Sequence, residues 1–330
     1  MKTILVTGGA GFIGTNFIKY LNKDHGYNII NVDKLSYGSN IDNLNYITDN
    51  YSFIKKDING DLTDIINNVD YVVNFAAESH VDRSIAEPGE FTKSNINGVI
   101  SLLESIRKSG NDPRFIQIGT DEEYGDIMEG SFTEKDLLKP SSPYSASKAS
   151  SSLIALSYYR TYGMKIMVTR TSNNFGRYQF LEKLIPKTII RNYLDMEIPL
   201  YGNGENKRDW IYVDDNASAI LTVILKGKDG EIYNISSNNE LSNIEIVNKI
   251  FEIMNKNGTI KYVDDRPGHD VRYSIDSGKL RTLGWSPEYS FDDAIKLTVE
   301  WYLDNKDWWS KLLQKNKNVL SEEPWKLRWN

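Results

Sequence analysis

The chain has 330 residues, 40% hydrophobic and 25% charged, with a formal net charge of -6. That length buries a sizeable core in one large or two coupled domains, and the acidic balance argues against nucleic acid or an anionic membrane as a partner held by bulk charge. There is no cysteine and there are only three histidines, which excludes disulfide and thiolate chemistry and leaves little for a histidine-rich metal site. No run reaches the ~20 apolar residues of a membrane span, and the N-terminus lacks the apolar segment and cleavage site of a signal peptide. A cytoplasmic setting is the expectation.

Residues 2–7 form a short apolar strand, followed by Gly8, Gly11 and Gly14 and then by helical spacing over residues 15–21. A glycine triad between a strand and a helix has the context of a dinucleotide loop. Gly8 permits the tight turn and Gly11 lets backbone approach a pyrophosphate, while Gly14 lets the helix pack on the strand. The helix N-terminus adds amide donors and the positive dipole end, beside Phe12 and Ile13. A second strand, residues 28–33, ends at Asp33, nineteen positions after Gly14. A carboxylate there accepts ribose hydroxyls and repels a 2′-phosphate, which predicts NAD over NADP. Residues 51–55 then lead to Asp57 and Ile58, either an adenine edge or an ordinary strand end.

Residues 70–75 are the next buried strand, with Ala76 and Ala77 after it, small enough for a cofactor to lie against. In the polar run 78–84, His80 reads as a general base or as a structural hydrogen-bonder. A long helical stretch runs from Pro88 to about Ser109; its polar segment Asn95 to Gly98 faces either a ligand or an interface. Alternating strands and helices here predict an α/β fold, a Rossmann-like doubly wound parallel sheet.

Residues 114–119 form another strand, and Thr120, Asp121 and Glu122 follow its carboxyl end, where such sheets place ligands. After a helix start at 140–143 come Tyr144 and Lys148, four apart and on one helical face. A phenol of ordinary pKa ~10 is a poor base at neutral pH. The lysine ammonium and the positive nicotinamide of an oxidised cofactor both favour the phenolate. So tuned, Tyr144 can take a proton from a sugar hydroxyl while a hydride leaves the carbon. Thr120 suffices beside it for simple alcohol oxidation, so the two carboxylates are surplus to that. Once a ketone forms, the neighbouring C–H becomes acidic, and one carboxylate can remove that proton while the other protonates a departing hydroxyl. On the residues alone, a solvated acidic turn is the equal alternative.

Residues 165–170 are a further buried strand, and the alternation loosens after Phe175. This places an NAD-binding domain at 1–175, a return to it at about 213–235 through a helix over 216–225 and a strand over 231–235, and a smaller α/β substrate-binding domain, discontinuous, in 176–330. The tryptophans at 308, 309, 325 and 329 carry no assignable chemistry and suit core packing or a subunit contact.

Several segments together resemble the dTDP-glucose 4,6-dehydratase family of extended short-chain dehydrogenases/reductases. They are Thr-Gly-Gly-Ala-Gly-Phe-Ile-Gly from Thr7, Phe-Ala-Ala-Glu-Ser-His-Val-Asp-Arg-Ser from Phe75, Thr-Asp-Glu from Thr120, Ser-Ser-Pro-Tyr-Ser-Ala-Ser-Lys from Ser141 and Ser-Asn-Asn-Phe-Gly from Ser172. The likeness continues through Glu-Lys-Leu-Ile-Pro from Glu182, Arg-Asp-Trp-Ile-Tyr from Arg208, Asp-Arg-Pro-Gly-His from Asp265 and Trp-Tyr-Leu-Asp-Asn from Trp301, and so covers Met1 to about Trp309.

The resemblance implies that Tyr144 is the base for oxidation at the sugar's C4 and that Lys148 holds the ribose and lowers the tyrosine's pKa. Glu122 would remove the C5 proton, and Asp121 would protonate the C6 hydroxyl. It adds Lys34, Ser36, Ser94 and Asn174 to the NAD contacts. It gives Ser79, Thr120, Asn173, Lys183, Leu184, Arg208, Asn243, Asp265, Arg266 and His269 to a nucleotide-diphosphate sugar. It implies a homodimer built on the helices near Asn95 and Ser150. Four positions depart from the family pattern: Gly119 and Glu123 flank the triplet, and Arg177 and Leu181 stand where prolines are usual, in loops expected near the substrate entry. The rival activities are a nucleotide-sugar 4-epimerase, which needs no Asp121–Glu122 pair, and a catalytically silent NAD-binding regulator, which need not keep both Tyr144 and Lys148.

Overall fold

A computed structural model of the protein describes residues 1–24, 26–316 and 318–322; Trp325 and Trp329 lie outside the described residues. Strands β1 (Lys2–Thr7), β2 (Tyr27–Asp33), β3 (Tyr51–Lys55), β4 (Tyr71–Asn74), β5 (Arg114–Thr120) and β6 (Ile166–Thr171) come first. They are followed by β7 (Asn173–Phe175), β8 (Ile198–Tyr201), β9 (Lys207–Tyr212), β10 (Ile232–Ile235), β11 (Glu240–Ser242) and β12 (Ile260–Val263).

Seven strands make one sheet in the order β10-β6-β5-β4-β1-β2-β3. Every neighbouring pair in it is parallel. The inner strands β1, β4, β5 and β6 are mostly buried, as the middle of a parallel sheet requires, whereas the edge strand β3 is not. The chain steps outward from β1 to β3 and then resumes on β1's other side at β4. The reversal opens a crevice at the carboxyl ends of β1 and β4, where such sheets take ligands.

Glycine closes that crevice tightly. Gly8 has φ +72°, and a Cβ on it would stand 2.5 Å from the Ala76 amide nitrogen at the end of β4. Gly8→Ala is therefore expected to cost about 1–3 kcal/mol in backbone strain alone, read as a lower urea midpoint; an unchanged midpoint would contradict the close approach. At Gly14 a Cβ would meet the Gly8 carbonyl oxygen at 2.5 Å, so helix Phe12–Asp24 can seat against the loop only without one.

The stretch expected as one helix from Pro88 is broken in type. Helix Pro88–Phe91 passes into a π-helical turn, Thr92–Asn97, and then into helix Gly98–Ser109. The wider turn coincides with the polar segment. Asn95 is buried there, accepts from the Glu78 amide at 2.8 Å and donates to the Glu78 carbonyl and to Ser147 Oγ. Asn95, the first residue of that segment, thus ties the loop after β4 and helix Pro143–Tyr162 to the π-helical turn. Helix Pro143–Tyr162 starts at Pro143 with Ser142 as N-cap in a capping box with Ser145, and ends on Gly163 at φ +68°.

At Asn173 the chain leaves the large sheet. β7 pairs with β9, and β9 with β11, in a three-stranded sheet, while β8 and β12 form a parallel pair. A second core gathers Phe175, Leu181, Trp210, Tyr302 and Trp309. Helix Val213–Lys226 and β10 rejoin the large sheet. Leu280 and Trp285, which the sequence reading left with the second half, also pack into the first core. Trp309 is core, its indole N–H bonded to the Tyr302 carbonyl at 2.9 Å, and Trp308 donates to Asn43 at 2.7 Å. Among the described residues no helix is long and apolar enough to cross a membrane.

Candidate active site

Two cavities open on the carboxyl side of the large sheet. The first is walled by Gly8, Gly11, Phe12, Ile13, Gly14, Asp33, Lys34, Ser36, Asp57, Ile58, Ala76, Ala77 and Ser94, and also by Thr120, Asp121, Glu122, Tyr144, Lys148 and Asn174. Every residue expected to hold the dinucleotide therefore lines one cleft, and Thr120, Asp121, Glu122, Tyr144 and Lys148 line the same cleft. Ser79 is also on this wall, and Asn173 and Lys183 border both cavities. The second cavity takes in Leu184, Arg208, Asn243, Arg266 and His269.

The donor set of the first cleft fits a dinucleotide. A Cβ at Gly11 would meet only the Gly8 carbonyl oxygen, at 3.3 Å, so this backbone is bare on the cleft side. Asp33 is buried, and its oxygens accept from the Ala10 amide at 3.0 Å and the Leu35 amide at 2.7 Å. These bonds fix the carboxylate at the end of β2 and leave it lone pairs for hydroxyl donors. Lys34 Nζ donates to Ser94 Oγ at 2.9 Å across the cleft.

The acidic triplet forms a 3-10 turn, Asp121–Glu123, rather than a continuation of the strand. Thr120 caps it. Its hydroxyl accepts from the Glu122 amide and donates to Asp121 Oδ1 at 3.1 Å, while the Glu123 carboxylate reaches back to the Thr120 amide at 3.1 Å. The turn sorts the three acids. Asp121 and Glu122 line the cleft, and Asp121 Oδ2, buried, has no partner among the described residues. Glu123 points inward to the Arg170 guanidinium on β6, 2.8 Å away, and accepts from Ser152 Oγ at 3.0 Å. The departure at Glu123 thus adds no third acid to the cleft. Gly119 belongs with it: a Cβ there would lie 2.5 Å from Glu123 Oε1, so the missing side chain makes room for the carboxylate.

Burial, and next the charge of Glu122, push the Asp121 carboxyl well up from its ordinary value. Burial also raises Glu122, but Arg266, Arg208 and Lys183 pull against it. The environments therefore separate a proton-holding acid from a carboxylate that cations favour as the base.

Lys148 donates to the Ile118 carbonyl, and burial lowers its pKa to about 8 against the pull of Glu123. Tyr144 behaves opposite to the sequence expectation. Burial, then Glu122, Glu123 and Asp121, raise its phenol well above the ordinary range, and a hydrogen bond with Thr120 works against them. Burial is the largest of these effects, and the three carboxylates of the adjoining turn add to it.

Other placements correct or complete the reading. His80 is buried between Tyr37 and Phe180 and bonded to Glu182, and burial holds its pKa well down. A ring so engaged serves packing and hydrogen bonding. Asp265, expected to touch the nucleotide, is on neither cavity wall. It accepts from His269 Nδ1 at 2.6 Å and from the Arg266 amide at 2.8 Å, and so orients the two residues that do line the cavity. Arg208 is spread over the carbonyls of Lys207, Asp270 and Val271 and lies 4.2 Å above the Tyr273 ring. Arg177 and Leu181 border neither cavity. Arg177 pairs with Asp214 at 2.7 Å, and Leu181 is fully buried in the second core. The wall residues missed in the sequence include Asp82, Lys187, Pro199, Tyr201 and Trp210. Lys187 had a signal, standing one helical turn after Lys183; Pro199 and Tyr201 sit in a short strand with no motif.

The family model described as GDP-mannose 4,6 dehydratase matches residues 5–298. The low-salt glycan biosynthesis protein Agl12 of Haloferax volcanii is 46% identical over 309 residues, 92% of this chain and 99% of the relative. A dTDP-glucose 4,6-dehydratase of Xanthomonas campestris pv. campestris (strain B100) is 44% identical over 335 residues, 93% of this chain and 95% of the relative. The solved structure of DesIV, a dTDP-glucose 4,6-dehydratase from Streptomyces venezuelae with NAD and TYD bound, matches with a TM-score of 0.91 at 42% identity, covering 94% of this chain and 99% of that one. The glycine cleft, the sorted acid pair and the Tyr144–Lys148 helix are thus features of a chain that belongs to the dTDP-glucose 4,6-dehydratase family, within the extended short-chain dehydrogenases/reductases.

Proposed function

We propose that the protein converts dTDP-glucose to dTDP-4-keto-6-deoxyglucose with NAD as a retained cofactor. The observation that carries this reading is the turn that turns Asp121 and Glu122 toward Tyr144's cleft and sends Glu123 away from it. A 4-epimerase has no use for that pair.

NAD, held by the glycine loop, Asp33 and Lys148, supplies a hydride acceptor that later acts as donor. Its positive nicotinamide opposes the carboxylates that raise the Tyr144 phenol. Tyr144 Oη takes the proton of the C4 hydroxyl as that carbon becomes a ketone, and Thr120 orients the same hydroxyl. Glu122 removes the proton from C5, which the ketone has made acidic. Asp121, kept protonated by burial, gives its proton to the C6 hydroxyl, which leaves as water; the hydride taken from C4 then returns to C6, and Glu122 gives its proton back to C5. The uncompensated Asp121 Oδ2 is the atom free to make that transfer. Lys183, Arg208 and Arg266 hold the diphosphate between the two cavities.

The remaining assignments belong to the same reading. The cofactor body is 1–175 with the return at 213–235, and the nucleotide sugar lies against the rest. The enzyme works in the cytoplasm as a homodimer through helices Gly98–Ser109 and Pro143–Tyr162, whose outer faces expose Ile100, Leu153 and Tyr162.

Incubation with dTDP-glucose tests the activity: the alkali-induced absorbance of a 4-keto-6-deoxy sugar is expected. Formation of dTDP-galactose would replace this reading with the epimerase, and no turnover of any nucleotide sugar would leave the silent regulator.

A further inference from the structure

Helix Leu184–Tyr193 has Lys183 as its N-cap and Lys187 one turn on, so the two lysines share a face. Lys183 borders both cavities, whereas Lys187 borders only the second, farther from Tyr144. Lys187 is 6% exposed. Its ammonium donates to the Ser321 carbonyl at 3.1 Å, which uses one of its three N–H bonds.

No carboxylate pairs with Lys187 among the described residues. Asp82, the acid whose charge acts on it most, is already taken by Arg266 at 3.0 Å and by the Tyr201 hydroxyl at 3.2 Å. Lys183 and Arg191, on the same helix, repel it. Burial lowers its pKa to about 8. A buried cation with unused donors, on a cavity wall, is costly unless a ligand supplies an acceptor.

The order of groups along the cavities says which part of the ligand that is. Given the proposed substrate, the reacting carbons lie by Tyr144 and Glu122 and the diphosphate by Lys183, Arg208 and Arg266. The heterocycle then reaches the wall made by Pro199, Leu200 and Tyr201, where an apolar and aromatic surface suits a flat ring. We propose that Lys187 is a specificity-determining residue that reads the pyrimidine edge, donating to the 4-carbonyl of thymine or uracil and leaving the 4-amino group of cytosine facing a donor it cannot match. This inference rests on the nucleotide-sugar reading above and deepens it.

UDP and CDP differ at that edge alone, so equilibrium binding of the two to the cofactor-loaded protein is the test, and it needs no turnover. The unaltered protein is expected to hold UDP roughly tenfold to a hundredfold more tightly than CDP, the worth of one charge-assisted hydrogen bond. In Lys187→Met the UDP affinity should fall to near that of CDP, with CDP nearly unchanged. Lys187→Gln, whose amide can donate or accept, should also erase the preference and covers the case in which the methionine variant does not fold. Equal losses for UDP and CDP would put the ammonium on the diphosphate and overturn the proposal. So would unchanged affinities for both, which would leave Lys187 only the task of holding Ser321. If dTDP-glucose is not converted while the UDP preference is present, the dehydratase reading fails and this inference does not.

Discussion

Glu122→Gln is expected to lower kcat for dehydration by roughly a hundredfold to ten-thousandfold, the usual worth of a positioned general base. NAD should stay bound in the variant. The amide keeps the size of Glu122 and its place on the capped turn but cannot accept the C5 proton. In the proposed mechanism the oxidation at C4 depends on Tyr144 and Thr120, which the change leaves in place. Removing a negative charge that raises the Tyr144 phenol even favours that first step. The expected signature is thus a reduced nicotinamide absorbance that builds up on addition of dTDP-glucose without 4-keto-6-deoxy product. Full dehydratase activity would remove Glu122 from the role of C5 base.

The largest loss of stability is expected from Arg170→Met. Arg170 is 2% exposed and Glu123 is fully buried. The guanidinium bonds Glu123 at 2.8 Å and the Tyr124 hydroxyl at 2.8 Å, and it lies 4.6 Å from the centre of the Tyr124 ring. Neither charge has access to water, so deleting the cation leaves a carboxylate to be neutralised by protonation or drowned by opening the core. Breaking one side of such a pair costs about 3–5 kcal/mol. Removing both sides is a different matter, because the desolvation penalty of both ions disappears with them. Arg170→Met combined with Glu123→Leu should therefore recover most of the single variant's loss. Urea unfolding of the single and double variants measures this. A loss under ~1 kcal/mol for Arg170→Met, or a double variant worse than the single, would contradict the account.

The same pair explains why Gly119 and Glu123 go together. The carboxylate occupies the space that a side chain at 119 would need, and it closes the capping box that sets the directions of Asp121 and Glu122. A chain with a larger residue at 119 must move or remove the acid at 123.

Much of this protein is legible in its sequence because the interactions are local. Two glycines forced by a tight turn, an acid at the end of the next strand, and a tyrosine and lysine one helical turn apart have fixed geometry once strand and helix form. Apolar runs between turn signals likewise mark where along the chain the parallel strands lie. What the sequence leaves open are choices settled between distant segments. Whether Glu123 joins the acid pair depends on Arg170, forty-seven positions away, and the Tyr144 phenol is raised because burial and three carboxylates converge on it from another element. His80 becomes structural through Glu182, and Asp265 leaves the wall because His269 and the Arg266 backbone claim it. Charges and hydrogen bonds act across a few ångströms of space without regard to separation along the chain, so only the folded chain decides which of them meet.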